Sequence, residues 1–568
     1  MSSFTMPVQK ALRHRAATEL FVPRDVLPFR EQRYSELLED LRRQQKAELQ
    51  TKESRPVRFQ DPYFPNELYD KDFLWVSMLD LNPGAKFYSE RVQPAGRWEY
   101  NLHKLLPGSF GPNWFYVALG QVAERKELLN WTMPDSAKQN ACDVGIYRFR
   151  FWHAGVLREV VVDDLLPFNR SGAPVFVQSA YNAGEYWPGL LEKAYAKMHG
   201  SYHFLLDGHP EQAFADLTGG FPQAVRLNLA TMLSPYILGR ELKHWLARGS
   251  LVTAAVKFRT QPGELLDTDL VTGLPYTLLE QRDVRGRPLV KLRSPRGGHT
   301  FIHAEPGPMA GSCCGCLGGS VEDDGGVGAD SFGHLRVSTF WMRYDEFLQN
   351  FHYLISVHLV QQLPNSRPLV WRYVPMPFPC AHKDRTVESE MQLNHVTGVF
   401  VQECNGWSDW ERLPSQRQFG VTLDRDENKL LAHLVQESLP LKPPGDLCLL
   451  ILQAEHGREH RVHDFRGNVC LRPMYDVQIS QYGGCFSSSL PRGTYVVIPY
   501  VRVEGSRSEQ FVPRRFSLRV AVTGLKPMRP LTDHTDTPWS TITRLSVSDF
   551  TFQIPAKREQ LHELEFLQ

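Results

Sequence analysis

The spacing of apolar residues changes period along this chain, and that change limits what it can fold into. GIYRFRFWHAGVLREVVVDDLLPF (145–168) places Tyr147, Phe149 and Phe151 at every second position, turns at Ala154-Gly155 and continues into Val160, Val161 and Val162. That pattern predicts two strands around a turn. EYWPGLLEKAYAKMHGSY (185–202) predicts a helix with Leu190, Leu191, Ala194, Tyr195 and Met198 on one face. From LTGGF (217–221) the pattern moves toward strands, and LVTAAVKF (251–258), LPYTLLEQRDV (274–284) and RPLVKLRS (287–294) predict an antiparallel set. TFWMRYDEFLQNF (339–351) is predicted to close this part with a helix. Across 361–525 the segments GVFVQE, FGVTL, LCLLILQ, TYVVIPYVRV and RFSLRVAV are short strands at turn-punctuated spacing, as in an antiparallel β-sandwich. Mixed elements followed by strands alone make the fold class α+β.

At 568 residues the chain exceeds one compact core, and two to four domains are expected. The pattern divides it into an extension (1–55), a mixed region (56–217), a strand-rich region (218–360), a sandwich region (361–525) and a tail (526–568). YSELLEDLRRQQKAELQTKES (34–54) in the extension predicts a charged helix with Leu37, Leu38, Leu41 and Leu49 on a partial apolar stripe. It reads as a solvated helix laid against the body or as a docking helix for a partner. The Gly/Cys-rich segment 307–333 has too little apolar surface to order itself and is expected to be a loop inserted in the strand-rich region.

Lys and Arg number 64 against 63 acidic residues, without the basic excess of a nucleic-acid binder. No stretch approaches the roughly 20 apolar residues of a membrane helix. The first residues lack the apolar core of a secretory signal, position 2 is not Gly, and the last residues hold no prenylation Cys. Nine cysteines are sparse and odd in number, which fits a reduced, cytoplasmic setting.

Several motifs then occur in a fixed order: FQDPYFP (59–65), VVVDDLLP (160–167), EYWPGLLEKAYAKMHGSY (185–202), FADLTGGF (214–221), TFWMRYDEFLQNF (339–351), LPRGTYVVIP (490–499) and RFSLRV (515–520). In identity, order and spacing they resemble the calpain family from about residue 56 to 525. The resemblance implies two papain-like subdomains facing across a cleft (56–217 and 218–360), then a calpain-type β-sandwich (361–525). No counterpart is expected here for the calcium-binding EF-hand domain of some family members, with about 40 residues given after the sandwich region.

The resemblance also locates the chemistry. In PGSFGPNWFYVA (107–118) Pro107 stands where the family has its oxyanion-hole Gln, Pro112 where it has Asp, and Asn113 where it has the nucleophilic Cys. Gly108, Gly111, Trp114 and Phe115 keep the family's identities. The Gly-His-Ala-Tyr frame corresponds to GLPYT (273–277), which replaces the base with Leu274. The Asn-Pro-Trp-Gly frame corresponds to SPRG (294–297), which replaces the orienting Asn with Ser294 and the cleft Trp with Arg296. A carboxamide nitrogen is no nucleophile, and losing nucleophile or base alone can cost on the order of 10⁶ in turnover. The set implies a pseudo-protease.

The family's core calcium sites fare similarly. Glu192 is retained, but Lys104 stands where a carboxylate is expected, Thr300 where a Glu is expected, and Val337, Ser338 and Thr339 replace Asp-Gly-Glu. With its carboxylates replaced, calcium binding should collapse, and Glu192 reads as a structural residue of its helix. No cofactor or metal is expected.

Outside these frames, Cys142 reads as a small core or surface residue and His299 and His303 as loop residues. Cys313, Cys314 and Cys316 lack the second ligand pair of a zinc site, and S-acylation fits them as well. LDRDENKL (423–430) mixes Asp424, Asp426 and Glu427 with Arg425 and Lys429, a poor calcium or phosphoinositide site. HGREHRVHDF (456–465) is modestly basic and reads as a solvated hairpin or a contact for acidic lipid.

These observations favour a catalytically inactive calpain-like scaffold or adaptor with protein partners, cytoskeletal (microtubule) ones by family analogy and no nucleic acid. Two alternatives stay open: a calcium-dependent cysteine endopeptidase with an atypical site, and a peripheral membrane-binding module.

Overall fold

The computed structural model describes residues 29–48, 57–64, 73–88, 105–134, 144–227, 235–256, 270, 275–293, 339–362, 370–372, 390–436, 446–454, 460–465, 472–502 and 513–531, less scattered positions within those ranges. The chain divides into two compact units, one within 1–218, 226–239 and 252–354, the other within 219–225, 240–251 and 355–568.

In the first unit, helix α1 (Tyr34–Glu48) lays its apolar stripe on the body. Tyr34 and Leu41 are buried with Phe59, Val144, Ile146 and Val161, and Leu37 and Leu38 pack beside them. Its outer face carries exposed i,i+3 pairs, Arg33–Glu36 and Arg43–Asp40, which add little stability. Leu49 and the rest of the expected helix lie outside the described residues.

Strand β1 (Phe73–Ser77) and helix α2 (Met78–Leu81) come next, then β2 (Leu105–Leu106), α3 (Asn113–Ala123) and α4 (Lys126–Thr132). The predicted pair around Ala154-Gly155 is β3 (Ile146–His153) and β4 (Val156–Asp163), antiparallel with Ile146 opposite Asp163 and His153 opposite Val156. β5 (Leu165–Asn169) returns against β1, and β6 (Gln178–Ser179) pairs with β2. α5 (Trp187–Met198) and α6 (Pro210–Thr218) complete this part.

α5 departs from the one-faced helix expected from its sequence: all twelve residues are buried, Glu192, Lys193 and Lys197 included. The lysines are tolerated because acids from distant segments meet them. Lys193 Nζ lies on Asp163 Oδ1 and Lys197 Nζ is 2.6 Å from Asp61 Oδ2, with further bonds from Lys197 to the Gln32 side chain and the Val161 carbonyl. Buried charges without such partners would be strongly destabilising. Asp163 also accepts the backbone N–H groups of Asp61 and Leu165, and Asp164 accepts the Ser77 hydroxyl at 2.6 Å. The acidic pair in VVVDDLLP and the Asp of FQDPYFP are therefore structural ties.

β7 (Phe221–Arg226) and helix α7 (Pro235–Ala247) lead into β8 (Leu251–Val256), β9 (Pro275–Val284) and β10 (Arg287–Arg293). TFWMRYDEFLQNF is not one helix. It forms β11 (Thr339–Arg343), helix α8 (Tyr344–Asn350) and the start of β12 (Phe351–His358). Phe340, Trp341 and Met342 are buried where β11 pairs with β10, and the helix starts only where the Glu346 carboxylate accepts the Arg343 backbone N–H. Within the first unit β8 to β11 are antiparallel neighbours in the order β11-β10-β9-β8.

The second unit carries two antiparallel sheets. One contains β13 (Gln361–Gln362), β14 (Val370–Arg372), β15 (Glu390–Phe400), β17 (Asn428–Gln436), β20 (Gly483–Leu490) and β22 (Arg514–Thr523), in the order β13-β14-β15-β22-β17-β20. The other contains β16 (Phe419–Leu423), β18 (Asp446–Ala454), β19 (Arg472–Gln478), β21 (Gly493–Arg502) and β23 (Arg529–Pro530), in the order β19-β18-β21-β16-β23. Alternate residues of both sheets share one apolar cluster, among them Leu430, Leu434, Leu518 and Val520 from the first and Val421, Leu449, Ile451 and Val497 from the second. Arg519, 2% exposed, points elsewhere, donating to the carbonyls of Gly219 and Gly220 at 2.8 and 3.1 Å.

Of the basic stretch 456–465, residues 456–459 and 464 lie outside the described residues. Arg461 donates to the carbonyls of Pro414 and Gln416, and Val462 and Phe465 are buried. Two backbone carbonyls thus tie Arg461 to the fold. Of LDRDENKL, Asp424 is exposed and 425–427 lie outside the described residues.

Candidate functional site

α3 opens at Asn113 and is apolar nearly throughout. Phe115, Ala118, Leu119, Val122 and Ala123 are fully buried, so α3 is a core helix of its unit. Trp114 Nε1 donates to the Leu205 carbonyl at 2.9 Å, and Phe115 stacks on Tyr195 with ring centroids 4.5 Å apart. Tyr116 donates its hydroxyl proton to the Leu105 carbonyl at 3.0 Å. Gly108, ahead of the helix, lies so close to a neighbouring chain segment that a Cβ would sit 2.3 Å from the Val175 oxygen and 2.4 Å from the Phe176 carbonyl carbon. The retained Gly108, Trp114 and Phe115 thus have packing roles that hold whether or not chemistry takes place.

Towards its other end, α3 is tied to the strands that border the expected base and orienting positions. The Gln121 amide donates to the Thr253 hydroxyl of β8 and to the Val252 carbonyl, and is 3.4 Å from Thr277 Oγ1 of β9. β9 begins one residue after Leu274 and β10 ends one residue before Ser294. Arg293 pairs with Thr277, so that end of β10 lies beside the start of β9.

Leu274, Ser294 and Pro107 themselves lie outside the described residues, as do Lys104, Thr300 and Val337. So do Cys142, His299, His303 and the CCGC segment. Asn113 is placed at the helix start and Thr339 at the start of β11 opposite Arg293, through their backbones. Glu192 is 1% exposed and accepts the Val177 backbone N–H at 2.9 Å. Burial pushes its carboxyl from 4.5 up to about 8, against the opposing effect of that hydrogen bond. An uncharged carboxyl holding a backbone amide is a structural group.

Sequence reasoning passed over a second cluster. His153 ends β3, His199 follows α5, and Asp216 sits on α6. His199 Nε2 is 3.2 Å from Asp216 Oδ2, the Tyr195 hydroxyl donates to the same oxygen at 2.9 Å, and the two imidazoles meet edge to face at 5.1 Å. Burial lowers both rings from 6.5, His199 to about 3 and His153 to about 4; for His153 the neighbouring His199 adds to the shift and Asp216 opposes it. The His199–Asp216 contact is therefore a hydrogen bond from a neutral ring. The three residues sit on separate elements with no motif spacing, which hides them in the sequence.

Among the described residues no helix is long and apolar enough to cross a membrane. Residues 88–304 match the calpain family of cysteine proteases. Calpain-5 of Caenorhabditis elegans is 26% identical over 524 residues, covering 83% of this chain and 73% of that protein. Mouse calpain-5 is 25% identical over 82% of this chain and 73% of its own length. Human calpain-14 is 38% identical over 233 residues, 39% of this chain and 31% of that protein. The match over 88–304, together with calpain-5 relatives aligned along most of the sequence, makes the chain similar to the calpain family over most of its length.

Proposed function

We propose that this chain is a catalytically inactive calpain-like protein that works by binding other proteins, as a cytoplasmic scaffold or adaptor associated with the cytoskeleton. The observation that carries the reading is the start of α3: a core helix opens on Asn113, inside the frame of Gly108, Trp114 and Phe115, where a cysteine protease needs its thiolate. Leu274 in place of the base, Ser294 in place of the orienting Asn and Pro107 in place of the oxyanion donor support it from three other frames. On this reading residues 56–217 and 218–360 are the halves of a papain-like core and 361–525 a calpain-type β-sandwich. The shared apolar cluster of the two sheets supports the sandwich. Lys104, Thr300, Val337 and Thr339 remove the core calcium switch, so the platform needs no calcium to bind.

The test has two arms. Incubated with an unfolded protein substrate and calcium, the full chain should leave it intact; calcium-dependent cleavage abolished by thiol alkylation would refute inactivity and establish the endopeptidase alternative. In cell fractionation the chain should stay with the detergent-insoluble cytoskeleton. A freely soluble monomer with no co-purifying protein sinks the scaffold reading, and co-sedimentation with liposomes replaces it with the membrane module.

A further inference from the structure

We propose that His153, His199 and Asp216 form a binding site for one divalent transition-metal ion of the zinc class. Each residue offers one donor atom, and the three donors all lie within 4.8 Å of one another. Zinc holds imidazole and carboxylate donors at about 2.0–2.2 Å in a tetrahedron, which places neighbouring donors roughly 3.4 Å apart. The His199–Asp216 pair, at 3.2 Å, already has that spacing. His153 offers the third donor within the same 4.8 Å.

The donors are carried by a strand end, a helix end and a helix, and rigid elements hold a coordination geometry better than loops do. Tyr195 supplies the outer support such sites use, since its hydroxyl fixes the Asp216 oxygen at 2.9 Å. His199 and Asp216 have side chains only 3% and 8% exposed, so the ion would be largely shielded from competing water. Two nitrogens and one carboxylate select zinc, cobalt, nickel or copper over calcium, which takes six to eight oxygens. Three protein donors leave a fourth position for water. The three residues belong to none of the frames of Asn113, Leu274 and Ser294, and a bound ion would tie β3, α5 and α6 together.

The experiment uses the full chain, stripped with a chelator and then titrated separately with Zn²⁺ and Co²⁺. Stoichiometry is read by metal analysis after equilibrium dialysis, coordination by visible absorption of the cobalt form, and stability by thermal melting. The expected result is one equivalent bound with a raised melting temperature and a cobalt spectrum of tetrahedral type without thiolate charge transfer. His153→Gln and Asp216→Asn should each lose that equivalent. Tyr195→Phe, which keeps the stacked ring, should bind roughly 10- to 100-fold more weakly. No binding, a thiolate-type cobalt spectrum pointing to the cysteines, or unchanged stoichiometry in folded variants would each overturn the proposal. If the variants fail to fold, the cobalt spectrum of the unmodified chain still decides it.

Discussion

Glu192 sits on a helix whose every residue is buried, and its carboxyl is held at about 8 where an unfolded chain would show 4.5. The sign follows from proton linkage. A folded-state pKa raised above the unfolded one gives stability that is complete below 4.5 and lost as pH rises through about 8. Each unit of difference is worth about 1.4 kcal/mol, so at pH 7 the folded chain has given up about 3 kcal/mol to keep this group protonated. Glu192→Gln removes the titration and keeps an oxygen that can accept the Val177 N–H. Urea unfolding of both proteins at pH 5, 6, 7 and 8 should show the variant's stability advantage growing by about 1.4 kcal/mol per unit and levelling above pH 8. A gap that stays constant from pH 5 to 8 would mean that the carboxyl ionises normally in the folded chain, and the burial argument fails.

Other outcomes can be checked alongside. Gly108→Ala should destabilise by about 3 kcal/mol or more, read as a lowered melting temperature, because the new methyl meets backbone 2.3 Å away that has no rotamer with which to yield. Lys197→Met should cost about 3–5 kcal/mol in urea unfolding by leaving Asp61 buried without its cation, and Lys197→Met with Asp61→Leu should recover much of the loss. Asn113→Cys should give no proteolysis of an unfolded substrate, since Leu274 cannot take the thiol proton. Cleavage by that variant would show that another base reaches the helix start.

What could be read from the sequence depended on how locally each feature is encoded. Tyr147, Phe149 and Phe151 alternate because one face of β3 is buried, and a period of two needs only adjacent residues to be seen. RPMYDVQ of β19 and GGCFSSSL of β20 carry no such alternation, and their pairing with β18 and β17 is what makes them strands. The full burial of α5 was hidden because Lys193 and Lys197 look like solvent residues until Asp163 and Asp61 arrive from elsewhere in the chain. Frames such as PGSFGPNWFYVA are contiguous strings and were legible as strings. His153, His199 and Asp216 meet only after folding, and no local pattern announces them.

Arg519 and the carbonyls of Gly219 and Gly220 belong to one unit although 300 positions separate Arg519 from Gly219. The boundary between the two units is crossed five times by the chain, at 218/219, 225/226, 239/240, 251/252 and 354/355. Neither unit is a cassette that one cut could free. A chain stopped near residue 354 would carry 219–225 and 240–251 as stranded pieces of an absent neighbour, with two carbonyls deprived of their guanidinium. Recombination between relatives at that point would join halves that do not each hold their own parts, so gain or loss of the β-rich half by a single exchange is disfavoured.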